Sequence, residues 1–148
     1  MSISASLDVA IASKPGYSIT SSEIISILAK NGWKIKNENK ILYLPLGDDD
    51  DFDWQEDQIT ESEFYEIAKQ KQNNNEVIGV GMIWENTSIG GTLLVYPDHK
   101  ISFSLSINLK TISNGATDVN WYLDKILPYL ESDLTTIETF SFIQSYVG

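Results

Sequence analysis

From Ile101 to Leu109 the chain alternates apolar and polar residues without a break: Ile101, Phe103, Leu105, Ile107 and Leu109 are separated by Ser102, Ser104, Ser106 and Asn108. Successive side chains of a strand point to opposite faces, so this run can bury its apolar set together only as a strand whose other face meets water. A helix would scatter the same residues around its circumference. Ile3 to Ile11 repeats the pattern, with Ile3, Ala5, Leu7, Val9 and Ile11 on one face. Two half-wet strands of this kind point to an antiparallel sheet with its helices laid on one side.

The remaining elements follow from local signals. Lys14-Pro15-Gly16 is a turn. Thr20-Ser21-Ser22-Glu23 matches a capping box opening a helix through Ile24, Ile25, Ile27 and Leu28, which stops at Asn31-Gly32. Trp33 to Lys36 and Ile41 to Leu44, joined through Asn37-Glu38-Asn39, read as a hairpin. Thr60-Glu61-Ser62-Glu63 marks a second capping box, with a narrow apolar stripe of Phe64, Ile67 and Ala68 running to Gln72 and Asn73-Asn74-Asn75 ending it.

Val77 to Trp84 and Thr92 to Tyr96 read as strands, with a turn at Pro97-Asp98-His99-Lys100 before the alternating run. Asp118 to Leu130 reads as an amphipathic helix that Pro128 should kink or shorten. Thr135 to Val147 suits a strand by its β-branched and aromatic content, and a helix by the spacing of Ile137, Phe140 and Ser141. The expected fold is therefore α+β: a single domain over residues 1–148, mainly antiparallel sheet with about three helices, in the order β-α-β-β-α-β-β-β-α-β.

Composition removes whole classes of function. The chain has no cysteine, which excludes disulfides, thiolate metal sites and a cysteine nucleophile. All ten basic residues are lysines and the net charge is −11, so phosphate backbones are repelled and no guanidinium fork is present to grip them. Nucleic acid is thus not an expected partner. The first residues carry no basic, apolar leader and no stretch is long enough to span a bilayer, which makes a cytoplasmic protein without a membrane partner the expectation.

Acidity is concentrated in one place. Between Gly47 and Glu66 lie ten carboxylates and no lysine, with Asp48, Asp49, Asp50, Asp51, Phe52, Asp53, Trp54, Glu56 and Asp57 forming the densest part. Crowded like charges repel, so they call for free solvation, a metal or a basic partner. A calcium loop of EF-hand type fails in register: counting from Asp49 puts Trp54 where a glycine is needed and Thr60 where a glutamate is needed. No metal or cofactor is expected.

Phe52 and Trp54, two residues apart, would project to one side of an extended loop as aromatic anchors with a carboxylate rim. The competing expectation is that both rings dock the loop onto the protein's own core. Lys30, Lys34, Lys36 and Lys40, clustered just before the loop, could hold it down as exposed ion pairs, each worth about 0–1 kcal/mol.

Catalytic signatures are missing from the sequence. His99, the only histidine, sits in a predicted turn. Gly79 and Gly81 form a G-x-G without the third glycine or the following helix of a phosphate loop, and on one face of a strand they instead admit a close neighbour. Carboxylates are plentiful, but nothing singles out a glycosidase-like pair.

In overall character, as a small, acidic, cysteine-free α+β chain with an acidic-aromatic loop, the protein resembles immunity proteins of bacterial toxin systems, such as contact-dependent growth inhibition and other polymorphic toxins. The resemblance implies a non-enzymatic protein that binds and neutralises a cognate, basic toxin domain such as a nuclease; no family site is carried over, and the loop's own charge and aromatics make Asp48, Asp49, Asp50, Asp51, Phe52, Asp53, Trp54, Glu56 and Asp57 the expected contact residues. Two alternatives stay open from the sequence: a regulatory or adaptor domain with an incidental acidic loop, and a metal-dependent or carbohydrate-active enzyme.

Overall fold

The computed structural model describes residues 2–147. In chain order the elements are β1 (Ser2–Ser13), α1 (Ser21–Lys30), β2 (Trp33–Lys34), β3 (Lys36–Asn37), β4 (Lys40–Tyr43), β5 (Gln55–Asp57), α2 (Glu61–Asn73), β6 (Ile78–Trp84), β7 (Gly90–Val95), β8 (Lys100–Ile107), α3 (Val119–Leu130) and β9 (Thr135–Val147). The strands form one sheet, ordered β3-β4-β6-β7-β8-β1-β9, with β2 also paired to β6 and β5 to β4. Every pairing is antiparallel. The fold is α+β, as the alternating runs require.

Register explains the core. Leu7 lies opposite Phe103, Phe103 opposite Leu93 and Leu93 opposite Val80, so these four share the face on which the helices pack. All four are buried, together with Ile24, Ile25 and Leu28 of α1, Phe64 and Ala68 of α2, and Tyr122, Ile126 and Leu130 of α3. Ser102 and Ser104 on the opposite face are half-buried and Ser106 is exposed, which is the wet face that alternation demands. Trp33, fully buried, stacks edge-on with Trp84 and Trp121 and donates its indole N–H to the Lys125 carbonyl at 2.8 Å. The Lys125 ammonium lies 4.6 Å from the centre of the Trp121 ring, a cation–π contact closing that cluster.

The local signals resolve with some differences. Thr60 and Glu63 form a reciprocal capping box, whereas Glu23 accepts the Thr20 hydroxyl rather than its amide. Gly32 has φ +112° and its missing Cβ leaves room for the Trp84 ring, so both its backbone and its neighbour require glycine. The turn between β3 and β4 uses Glu38 and Asn39 at φ +52° and +66°, matching the twist of the flanking strands. The expected strand from Trp33 to Lys36 is split, because β2 pairs with β6 while β3 pairs with β4.

Pro128 lies inside α3, which still reaches Leu130: only a last-turn bond is forfeited. The segment after α3 is a strand, β9, bound along its whole length to β1 with a bulge beside Ala10 and Ile11. Its ambiguity in sequence has a physical cause. Edge position leaves Phe140, Ile143 and Tyr146 exposed, so the apolar residues do not line a single buried face. Among the described residues no helix is long and apolar enough to cross a membrane.

Candidate functional site

The acidic segment connects β4 to β5. Its second half is itself a strand that the sequence did not announce: Gln55, Glu56 and Asp57 pair with Tyr43, Leu42 and Ile41. Three polar residues have poor strand propensity, and pairing with β4 overrides it. The loop is therefore tied down at both ends.

What holds its interior is a buried lysine. Lys71, in the last turn of α2, is fully buried, and its ammonium donates to the carbonyls of Pro45 (2.7 Å) and Asp48 (2.6 Å) and to Glu76 Oε1 (3.1 Å). Three donors meet three acceptors, which is what a buried ammonium needs. Glu76, with a side chain 13% exposed, also accepts the Gly47 amide at 2.8 Å. Asp49 accepts the Val77 amide at 2.8 Å, stitching the loop to the start of β6.

Asp48, expected among the contact residues of the loop, is not on its surface. It is 5% exposed, and its carboxylate turns inward to accept the amides of Asp51 (3.1 Å), Phe52 (3.0 Å) and Asp53 (2.7 Å). Three amides aimed at one carboxylate make it the organiser of the loop. The bend it enforces places Phe52 at φ +53°, a left-handed conformation that an aromatic residue adopts only at a cost of roughly 1–3 kcal/mol.

That bend also separates the two rings. Phe52 stands 41% exposed, while Trp54 is half-buried and covers Gly79, where a Cβ would come within 2.8 Å of the indole and 2.7 Å of Leu44. Phe52 and Trp54 do not project together, because the loop between them is not extended. The close neighbours that Gly79 and Gly81 admit are Leu44 with Trp54, and Leu42, respectively.

The exposed charge is thus narrower than the sequence suggests. Asp49, Asp50, Asp51, Asp53, Glu56 and Asp57 are exposed. Asp49 is engaged by Val77, and Asp57 accepts the Tyr43 hydroxyl at 2.8 Å. Burial first, and that carboxylate second, hold the Tyr43 phenol above its ordinary value. Asp50, Asp51, Asp53 and Glu56 have side chains with no hydrogen-bonding or ion-pair partner among the described residues.

The ion pairs among those residues are Lys71–Glu76 and Lys100–Asp98. Lys30, Lys34, Lys36 and Lys40 are exposed and pair with none of the loop, so the expected surface clamp is replaced by the internal one. No group of three or more histidine, aspartate or glutamate side chains among the described residues is arranged to hold a metal ion.

Glu76 makes the clamp sensitive to acid. Partial desolvation favours its neutral form, but the Gly47 amide and the Lys71 ammonium outweigh that and hold its carboxyl below the ordinary 4.5. A carboxylate with a lowered folded pKa stabilises the fold above its unfolded pKa, and loses that contribution as pH falls through the lower folded value. Thermal melts taken from neutral pH downward should show stability declining below pH 4.5, with a shallower decline in Glu76→Gln. Glu131, held low by the Ile137 amide and the Thr136 hydroxyl against slight desolvation, acts in the same direction and remains in that variant.

Away from the loop, a concavity of about 500 Å³ lies on the open face of the sheet between Asp8, Ala10, Lys100, Ser102, Thr139 and Ser141. Its ionic feature is the exposed Asp98–Lys100 pair at 3.6 Å. His99, in the turn before β8, has φ +67° and uses its amide to close the turn onto the Tyr96 carbonyl. No protein-family model, no curated protein and no solved structure matches this chain.

Proposed function

We propose that this chain is an immunity protein: a non-enzymatic inhibitor that binds a cognate, basic toxin domain, such as a nuclease, through the acidic loop and so blocks its active site or the approach of its substrate. The observation that carries this reading is Phe52, held exposed in an unfavourable backbone conformation among four carboxylates that have no partner among the described residues. Strain of this kind persists only where the surroundings over-determine it, and it gathers at functional segments. Here Asp48, Lys71 and Glu76 supply the over-determination.

The physical logic is preorganisation. A loop fixed before binding spends little conformational entropy on association. Its carboxylates present a field resembling that of a phosphate backbone, which attracts the positive cleft of a nucleic-acid-cutting enzyme and steers the encounter. Phe52 supplies an apolar anchor inside the charged rim. Trp54 supports the loop from below, and Asp48 acts through the loop's shape.

The test is protection. Cells expressing a polymorphic-toxin domain encoded immediately upstream of this chain's gene should die, and co-expression of the chain should rescue growth. The purified pair should form a complex in which the toxin's activity is lost. A genomic setting with no toxin gene, combined with no rescue, would overturn the reading.

A further inference from the structure

We propose that β9 pairs with β9 of a second copy of this chain, joining two sheets into one across a two-fold axis. The proposal stands on the opposite edge of the sheet from the acidic loop and does not rest on the function assigned to that loop. Among the described residues β9 pairs with β1 on one side and with no strand on the other.

Backbone direction shows which residues face the open side. The Ile11 amide bonds to the His99 carbonyl, on the β8 side of β1. Direction alternates along an antiparallel strand, so Ser4, Ser6, Asp8 and Ala10 point to β9. Their partners Ser145, Ile143, Ser141 and Thr139 point back at them. Phe140, Phe142, Gln144 and Tyr146 consequently turn their amides and carbonyls outward, and no backbone or side-chain partner meets those groups among the described residues.

The edge is protected only at its beginning. There Glu131 accepts the outward Ile137 amide at 2.7 Å, and the bulge at Glu138 follows. Beyond it, edge strands usually carry a lysine, a proline or an inward charge that discourages pairing. Thr139 to Tyr146 has none of these, in a chain with 31 charged residues. Instead it exposes large apolar groups: Phe140 is 49%, Ile143 55% and Tyr146 61% exposed.

Charge selects the occupant. An uncharged run offers nothing to a basic partner, but it meets a copy of itself without opposing like charges. A two-fold alignment centred on Ile143 uses all four outward residues. Phe140 then faces Tyr146 of the second copy, Phe142 faces Gln144, and each pair recurs by symmetry. The two Ile143 side chains meet at the axis as a close, non-hydrogen-bonded pair. Both acidic loops stay at the far ends of the joined sheet, where the repulsion between two chains of net charge −11 is least.

Sedimentation equilibrium of the full chain over the micromolar range should give a species of twice the 16.6 kDa chain mass. Ile143→Lys and Ile143→Glu should each sediment as monomers and melt as the wild-type chain does when diluted to its monomer, since Ile143 is exposed in the single chain. Mixing the two variants should restore the dimer, because opposite charges then meet at the axis. Hydrogen exchange at Phe140, Phe142, Gln144 and Tyr146 should slow as wild-type concentration rises, while Ser141 and Ile143 stay protected throughout. A wild-type monomer with fast exchange at those four amides overturns the proposal. So does a dimer indifferent to both single variants, or one whose exchange protection lies on another surface.

Discussion

Replacing Lys71 with methionine is expected to lower folding stability by about 3–5 kcal/mol, the penalty for removing one partner of a buried ion pair. Methionine fills a similar volume, so packing is not the reason. The substitution strands the Glu76 carboxylate and the carbonyls of Pro45 and Asp48, all of which donate nothing and meet the ammonium at 2.6–3.1 Å. For a domain of this size the corresponding fall in melting temperature is roughly 6–20 °C. Against a total stability of about 5–15 kcal/mol, that is a large fraction.

A double variant separates charge from geometry. Lys71→Met with Glu76→Gln removes the uncompensated carboxylate, so it should recover part of the loss, while the two orphaned carbonyls retain the rest. Urea denaturation of the three proteins measures both quantities. A melting shift for Lys71→Met within the scatter of surface substitutions would mean that the loop is not held from inside. The same variant should also expose the loop to proteolysis between Gly47 and Trp54, since that segment loses its internal anchor first.

Lys71 was in principle legible in the sequence. The stripe Phe64, Ile67, Ala68 continues by helical spacing to position 71, where a lysine interrupts an apolar face. A charge in that place signals a buried partner, but the partners here are mainly backbone carbonyls of a loop distant in sequence, and no pattern of side chains announces them. Asp48 was hidden differently. Within Asp48-Asp49-Asp50-Asp51 four identical residues receive three different environments, and only the fold distinguishes the one that caps three amides and the one tied to Val77 from the two left in water.

Alternation, in contrast, carried β1 and β8 to within two residues at each end, because period two leaves no other way to bury Leu7, Val9, Phe103 and Leu105. β5 and the split between β2 and β3 depend on which neighbour each short segment finds. Three-residue and two-residue strands hold too little local preference to declare themselves.

The largest functional effect should come from the four carboxylates without internal partners. Converting Asp50, Asp51 and Asp53 to asparagine and Glu56 to glutamine keeps every hydrogen bond that organises the loop, so folding stability should change by no more than about 0.5 kcal/mol. Association with the cognate toxin should slow by on the order of ten- to a hundredfold at low salt, and its dependence on ionic strength should flatten, because steering is carried by these charges. Phe52→Ala should act on the other rate. Loss of a central aromatic anchor costs roughly 2 kcal/mol or more, which appears as dissociation about thirtyfold faster with association little changed.

Trp54→Ala offers the contrast that makes the assignment specific. Trp54 packs on Gly79 beneath the loop, so its loss should loosen the protein itself and weaken binding only through disorder of the loop. Stopped-flow kinetics at several salt concentrations, paired with melts of each free variant, resolves the three behaviours. Unchanged association and salt dependence in the fourfold variant, in a chain that still protects cells, would retain the inhibitor and remove the acidic loop as its contact surface.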